Sequence, residues 1–291
     1  MANVRQLRRR IRSVQNTAKI TNALQLVAAS KMRRAQQRAL AARPYADRMR
    51  YVLSNLASEA AGAEGQALHP LLAPRTGDRT MLVFITPNRG LSGGLPSNLN
   101  RRAGSFALEQ GGAVSIVAVG KKGRDFFARL RYELTAEFLE LGDYPGLTDT
   151  LPISRIAMEE FIAGRVDRVF LVFADFVNTA VQRPTVKQLL PVQPPEPSAS
   201  SPVSRVEYIY EPSPAAVLEQ ILPRYVEMEV YQAVLENAAS EQSARMVAMK
   251  NATDAAKDMI QSLTLAMNKA RQEQITKELL DIIGGVAAME G

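Results

Sequence analysis

The sequence predicts a mixed α+β and α/β class: a long antiparallel coiled coil of the N- and C-terminal helices, plus a central α/β domain. Three observations predict it. Residues 224–283 run sixty positions without Pro or Gly. Residues 2–43 also lack both. Between these arms the hydrophobic period changes, and short apolar runs alternate with amphipathic stretches.

The C-terminal arm is rich in Ala, Met, Leu, Glu, Lys and Gln, which lose little rotamer freedom in a helix. Sixty helical residues span ~90 Å at 1.5 Å each. A rod that long must pack on another rod or thread through something larger. Thr253, Ala256, Ile260, Leu263, Met267 and Ala270 step by three and four, which predicts a coiled-coil seam. Ile275, Leu279 and Ile282 continue it one residue out of phase. Small residues from Ala238 to Ala255 keep the rod thin. Ser213-Pro214 marks its start, as N-cap and first helical residue. Pro223 is placed to kink its first turns, and Gly284-Gly285 is expected to end it. Met246, Met249, Met259 and Met267 read as core filler.

The N-terminal arm repeats the pattern. Val4, Leu7, Ile11, Val14 and Ala18 step by three and four, and the stripe passes to Ile20, Leu24 and Val27, then to Ala28, Ala29, Ala35 and Ala39. This predicts a second rod of ~63 Å, with Pro44 placed to kink it. Residues 1–50 hold thirteen Lys or Arg against Asp47 alone, while residues 211–291 hold seven Lys or Arg against twelve acids. Opposite charge is a physical reason for the arms to lie side by side.

The middle third reads as a Rossmann-like α/β domain. MLVFIT (81–86), SIVAVG (115–120), RVFLVFADF (168–176) and VEYIYEP (206–212) read as strands. SNLNRRAGSFALEQ, GRDFFARL and ISRIAMEEFIAG read as helices between them. PVQPPEPSASSPVS (191–204) reads as a surface loop.

Composition excludes several functions. With no Cys, there is no disulfide, thiolate metal site or thiol switch. A single His, His69, sits in a loop beside Pro70 and reads as solvated, which argues against a His-based relay or metal centre. No apolar run reaches the length of a membrane span, and the N-terminus lacks a secretory h-region. TPNRGLSGGL (86–95) follows a strand and precedes a helix, where phosphate loops occur. It lacks the Lys-Ser/Thr of a Walker loop and the G-x-G-x-x-G spacing, so a structural turn is the favoured reading. GKKG (120–123) fails the same tests. Glu159 and Glu160 are adjacent and cannot share a helix face, so they form no acid/base dyad. No catalytic, cofactor-binding or metal-binding residue is assigned, and the chain is not expected to act as an enzyme alone. The basic arm admits a nucleic-acid or anionic-membrane tether through counterion release. No aromatic interleaves its cations before Tyr45 and no base-reading module appears, so neither nucleic acid nor nucleotide is an expected ligand.

Six segments carry a family resemblance: IRSVQNTAKITNALQLVAASKM (11–32), RPYA (43–46), RGLSGG (89–94), YIYEP (208–212), ENAASEQSARMVAMKNATD (236–254) and NKARQEQITKEL (268–279). In order and over essentially the whole length, the chain resembles the gamma subunit family of F-type, proton-translocating ATP synthases. The resemblance implies a non-catalytic rotor shaft of two terminal helices, residues 1–61 and 213–291, with an α/β foot at 62–212. The implied partners are alternating alpha and beta subunits around the tip, and epsilon and the membrane c ring at the foot. By resemblance Leu24, Arg245, Gln272, Thr276 and Glu278 contact beta, and Tyr208 and Glu211 meet the c ring. Leu24 stands where many family members have Met, and Gly285-Val286 stands where the family continues Gly-Ala. The regulatory cysteines of the chloroplast form are missing. The expected location is the cytoplasmic side of a bacterial plasma membrane, peripherally attached, since there is neither cysteine nor a clear transit peptide.

Overall fold

The structure, a computed structural model, describes residues 4–62, 69–193, 211 and 213–290. Its elements in order are α1 (Val4–Gly62), β1 (Thr80–Ile85), α2 (Leu95–Glu109), β2 (Val114–Val119), α3 (Lys121–Arg129), β3 (Glu133–Phe138), α4 (Leu147–Ile162), β4 (Arg168–Phe176), β5 (Gln182–Leu190) and α5 (Pro214–Glu290). The chain divides into two compact units, one of Met1–Ala28 with Arg245–Gly291 and one of Ala29–Ala244.

The first unit is an antiparallel pair formed by the start of α1 and the end of α5. The predicted seam is found residue by residue on α5. Thr253 and Ala256 are buried, and Ile260, Leu263, Met267 and Ala270 are partly covered, while most of their neighbours are exposed. On α1 the covered positions are Val4, Leu7, Ile11, Val14, Ala18, Thr21, Leu24, Gln25 and Ala28. Ile20 and Val27 instead face outward at 60% and 52% exposure. The three–four step does not jump from Ala18 to Ile20 but passes through the adjacent Thr21. Thr21 Oγ1 lies 2.6 Å from Thr253 Oγ1, and this contact sets the register. Seventeen residues separate Thr21 from Val4, and seventeen residues beyond Thr253 is Ala270. Residues 271–286 are therefore all exposed, including Ile275, Leu279 and Ile282, because α1 offers them no partner. Of the four methionines read as core, Met249 is buried and Met246 and Met267 are partly covered, but Met259 is exposed. Gly284-Gly285 does not stop α5, which runs on to Glu290. A glycine costs a helix only ~1 kcal/mol, and Ala287, Ala288 and Met289 just beyond the pair are strong helix formers.

In the second unit the sheet has the order β3-β2-β1-β4-β5, parallel except for β5, which pairs antiparallel with β4. Alternate residues of β1 explain its continuous apolar run. Met81, Val83 and Ile85 enter a core with α4 and with parts of α1 and α5, while Leu82 and Phe84 enter a second core with α2 and α3. A central parallel strand buried on both faces reads as unbroken hydrophobicity. β1, β2 and β4 match the predicted runs to within a residue. Two strands went unread. β3 alternates exposed Glu133, Thr135 and Glu137 with apolar residues, as an edge strand does. β5 carries Pro184, tolerated because an edge strand can lose a ladder donor. The strand expected at 206–212 and most of the loop at 191–204 lie outside the described residues.

Pro44 and Pro223 both sit inside continuous helices. Ser213 caps α5 as predicted, its Oγ accepting the Ala216 N–H at 3.3 Å.

Candidate functional site: exposed helix faces and a filled crevice

Five of the sequence-predicted contact residues belong to the first unit. Leu24 and Arg245 are partly covered, and Gln272, Thr276 and Glu278 are exposed on the unpartnered end of α5. Gln272 and Thr276, one turn apart, line a shallow groove with Lys269, Glu273, Lys277 and Leu280. Glu278 points to another side of the helix, where Gln274 Nε2 donates to its Oε1 at 2.9 Å. Along the same segment Ile275, Leu279, Ile282, Ile283 and Val286 fall within an arc of ~100°, given ~100° per residue. They are 46–65% exposed. A contiguous apolar stripe facing water marks an interaction surface. At the predicted foot, Glu211 is exposed, and Tyr208 lies outside the described residues.

At the 120–123 turn the glycines do not make a phosphate site, because side chains of the 86–95 loop fill it. The N–H groups that open α3 are already taken: Lys121 N donates to Asn88 Oδ1 at 2.9 Å, and Gly123 N to Thr86 Oγ1 at 2.8 Å. Gly120 has φ +104°, and a Cβ there would lie 2.0 Å from the Thr86 carbonyl oxygen. The glycine allows two turns to touch. It does not cradle an anion.

The crevice where ligands enter such sheets lies at the topological switch point, between the carboxyl ends of β1 and β4. Here β4 outruns β1, whose last pairing is Phe84 with Val172. α5 satisfies the overhanging backbone instead. Asn237 Oδ1 accepts the Ala174 N–H at 3.2 Å, and Ser240 Oγ donates to the Ala174 carbonyl at 2.9 Å. Ser243 Oγ donates to the Thr179 carbonyl at 2.8 Å. All three side chains are buried. A helix of the chain itself occupies the place of a cofactor.

Three titratable groups of the second unit with shifted pKa values have structural partners. Asp167, buried, accepts from Arg79 Nε and Nη2 at 3.0 Å each and from the Arg79 backbone at 3.1 Å. Those bonds hold its carboxyl below the ordinary range. Glu160 is likewise lowered by its two-pronged bond to Arg165. His69 is not simply solvated: its Nδ1 accepts the Leu71 N–H at 3.1 Å, and burial lowers its pKa. Among the described residues no group of three His, Cys, Asp or Glu could hold a metal ion. None of the described helices is long and apolar enough to cross a membrane.

Comparison with known proteins gives a consistent result. A family model described as ATP synthase matches residues 3–289. The ATP synthase gamma chain of Dehalococcoides mccartyi is 55% identical over 289 residues, covering 99% of this chain and 100% of the relative. The central stalk and c-ring structure of the Tetrahymena thermophila mitochondrial ATP synthase matches at TM-score 0.61 and 25% identity, over 80% of this chain and 99% of that one. The Euglena gracilis mitochondrial ATP synthase matches in fold at TM-score 0.65 and 21% identity, over 98% and 94%.

Proposed function

The chain belongs to the ATP synthase gamma chain family, and from that premise we propose that it is the central shaft coupling proton flow through a membrane c ring to ATP synthesis. The observation that carries this is the end of α5, sixteen consecutive exposed residues with an apolar stripe on one side. Such a rod suits a bearing formed by surrounding alpha and beta subunits. The chain is non-catalytic; nucleotide chemistry occurs on beta. Turning an asymmetric shaft forces the three beta sites through different affinities, which is coupling by differential contact with discrete states.

In this reading residues 1–61 and 213–291 form the shaft and residues 62–212 the foot. Leu24, Arg245, Gln272, Thr276 and Glu278 grip beta, while Tyr208 and Glu211 meet the c ring, with epsilon alongside. The assembly sits peripherally on the cytoplasmic face of a bacterial plasma membrane. The charge of +12 within residues 1–50 gives acidic partner loops a track to pass over. Exposed ion pairs contribute only ~0.2–1 kcal/mol each, weak enough to exchange during rotation.

Reconstitution with alpha and beta subunits, with a bead on the foot and ATP supplied, tests the reading. Unidirectional rotation in three main steps supports it. Assembly without rotation makes the chain a static tether.

A further inference from the structure

Glu229 lies within the Ala29–Ala244 unit with only 5% of its side chain exposed. Both its carboxylate oxygens are engaged. Oε1 accepts from Arg50 of α1, 3.3 Å from Nε and 3.2 Å from Nη2. Oε2 accepts from the Lys187 ammonium of β5. Arg50 Nη2 also reaches Gln232 Oε1 at 3.5 Å, and the Gln232 amide donates to Glu236 Oε1 at 2.9 Å. The Tyr225 phenol, one turn back along α5, is pushed above its ordinary range by burial first and the Glu229 charge second. It therefore remains a neutral hydroxyl. One carboxylate ties two helices and a strand.

Apolar packing alone would attach α5 to the sheet. Leu222, Val226 and Ala233, on the same side of α5, already enter the core. Burying a carboxylate is costly before it is paired, and pairs of this kind often add little net stability. What the pair supplies is direction. Hydrophobic contact is non-directional, so a greasy helix can turn or slide on its bed. A charge-assisted hydrogen bond weakens steeply with angle and distance. Further directional bonds follow along α5 at Asn237, Ser240 and Ser243. With Glu229 they fall within an arc of ~120°, given ~100° per residue.

We propose that Glu229, held by Arg50 and Lys187, is a positioning residue that keys α1 and α5 to the sheet, so that twisting load passes between the α/β body and both helices without slippage. This rests on the rotor reading. The Lys187 side chain is 41% exposed, and its removal leaves Glu229 paired with Arg50.

The test uses the complete complex in vesicles and on a surface, carrying wild type, Lys187→Ala, Lys187→Arg or Glu229→Gln. ATP hydrolysis, proton uptake per ATP and the angular fluctuation of a bead on the stalled foot are measured. With Lys187→Ala and Glu229→Gln, hydrolysis persists, the bead fluctuation broadens and proton uptake per ATP falls. Lys187→Arg restores both. Should Glu229→Gln not assemble, the half-exposed Lys187 pair carries the test. Wild-type fluctuation and uptake in Lys187→Ala would overturn the key alone. A wild-type complex that does not rotate overturns the rotor reading and the key with it.

Discussion

Thr21 and Thr253, 232 residues apart in sequence, meet hydroxyl to hydroxyl at 2.6 Å between α1 and α5. Each hydroxyl also lies within reach of a backbone carbonyl on its own helix, Ala18 at 3.1 Å and Met249 at 2.9 Å. Two protons thus serve three bonds, and one hydroxyl must forgo its own helix to bridge the pair. Replacing Thr253 with Val leaves Thr21 its carbonyl but removes the bridge, at a cost of about 1 kcal/mol. The double change to Val should cost less than the sum of the two single changes, because no half-made bond remains. Urea unfolding of all four forms measures this, and simple additivity would deny the bridge.

The Arg79–Asp167 pair sets an acid limit. Asp167 titrates lower in the folded chain than its ordinary 3.8, so below that value the unfolded state binds more protons. The pair's stabilisation is complete above the unfolded pKa and disappears as pH falls through the folded one. Asp167→Asn should therefore be less stable than wild type at neutral pH, with the gap closing in acid. Urea midpoints followed from neutral pH into strong acid report it. A gap that stayed constant would assign the loss to packing.

Glycines in different settings should respond oppositely to Ala. At Gly120, a Cβ would meet backbone at 2.0 Å and φ is +104°, so Gly120→Ala should lose at least about 2 kcal/mol through strain and displacement of the turn. At Gly284 nothing lies within 4 Å, so Ala there should raise helicity by up to ~1 kcal/mol. Circular dichroism through thermal unfolding distinguishes them in the isolated chain.

On the partner-facing surfaces, track and grip should separate. Arg33 is exposed on α1, and Arg33→Ala should change torque and turnover little, in keeping with a weak, exchangeable ion pair. Gln272→Ala with Thr276→Ala, both exposed on α5, should lower torque without affecting folding. Single-molecule torque on assembled complexes decides both. Collapse of coupling in the arginine variant, with assembly intact, would make the basic face a lock.

Long-period features were legible in the sequence and long-range polar ones were not. The α5 seam from Thr253 to Ala270 could be read because apolar side chains at a fixed step are a one-dimensional signal. Thr21 was missed because the α1 stripe was followed through its apolar neighbour Ile20, which faces outward. β3 and β5 were missed because edge strands carry charge and proline where a buried strand carries valine. Gln272 and Thr276 came from motif resemblance, and the structure adds that one face presents both. Glu229 left no trace in the sequence: its partners stand 42 and 179 residues away.

The register joining the two ends of the chain also sets a timetable. During synthesis the first rod leaves the ribosome long before the second exists. At about 5–20 residues per second, the 232 residues between Thr21 and Thr253 take about 10–50 s to appear. Through that interval α1 has an apolar stripe and no mate. Thirteen like charges in the first fifty residues oppose the side-by-side pairing of two such arms, so the same charge that suits the acidic second rod disfavours the wrong mate.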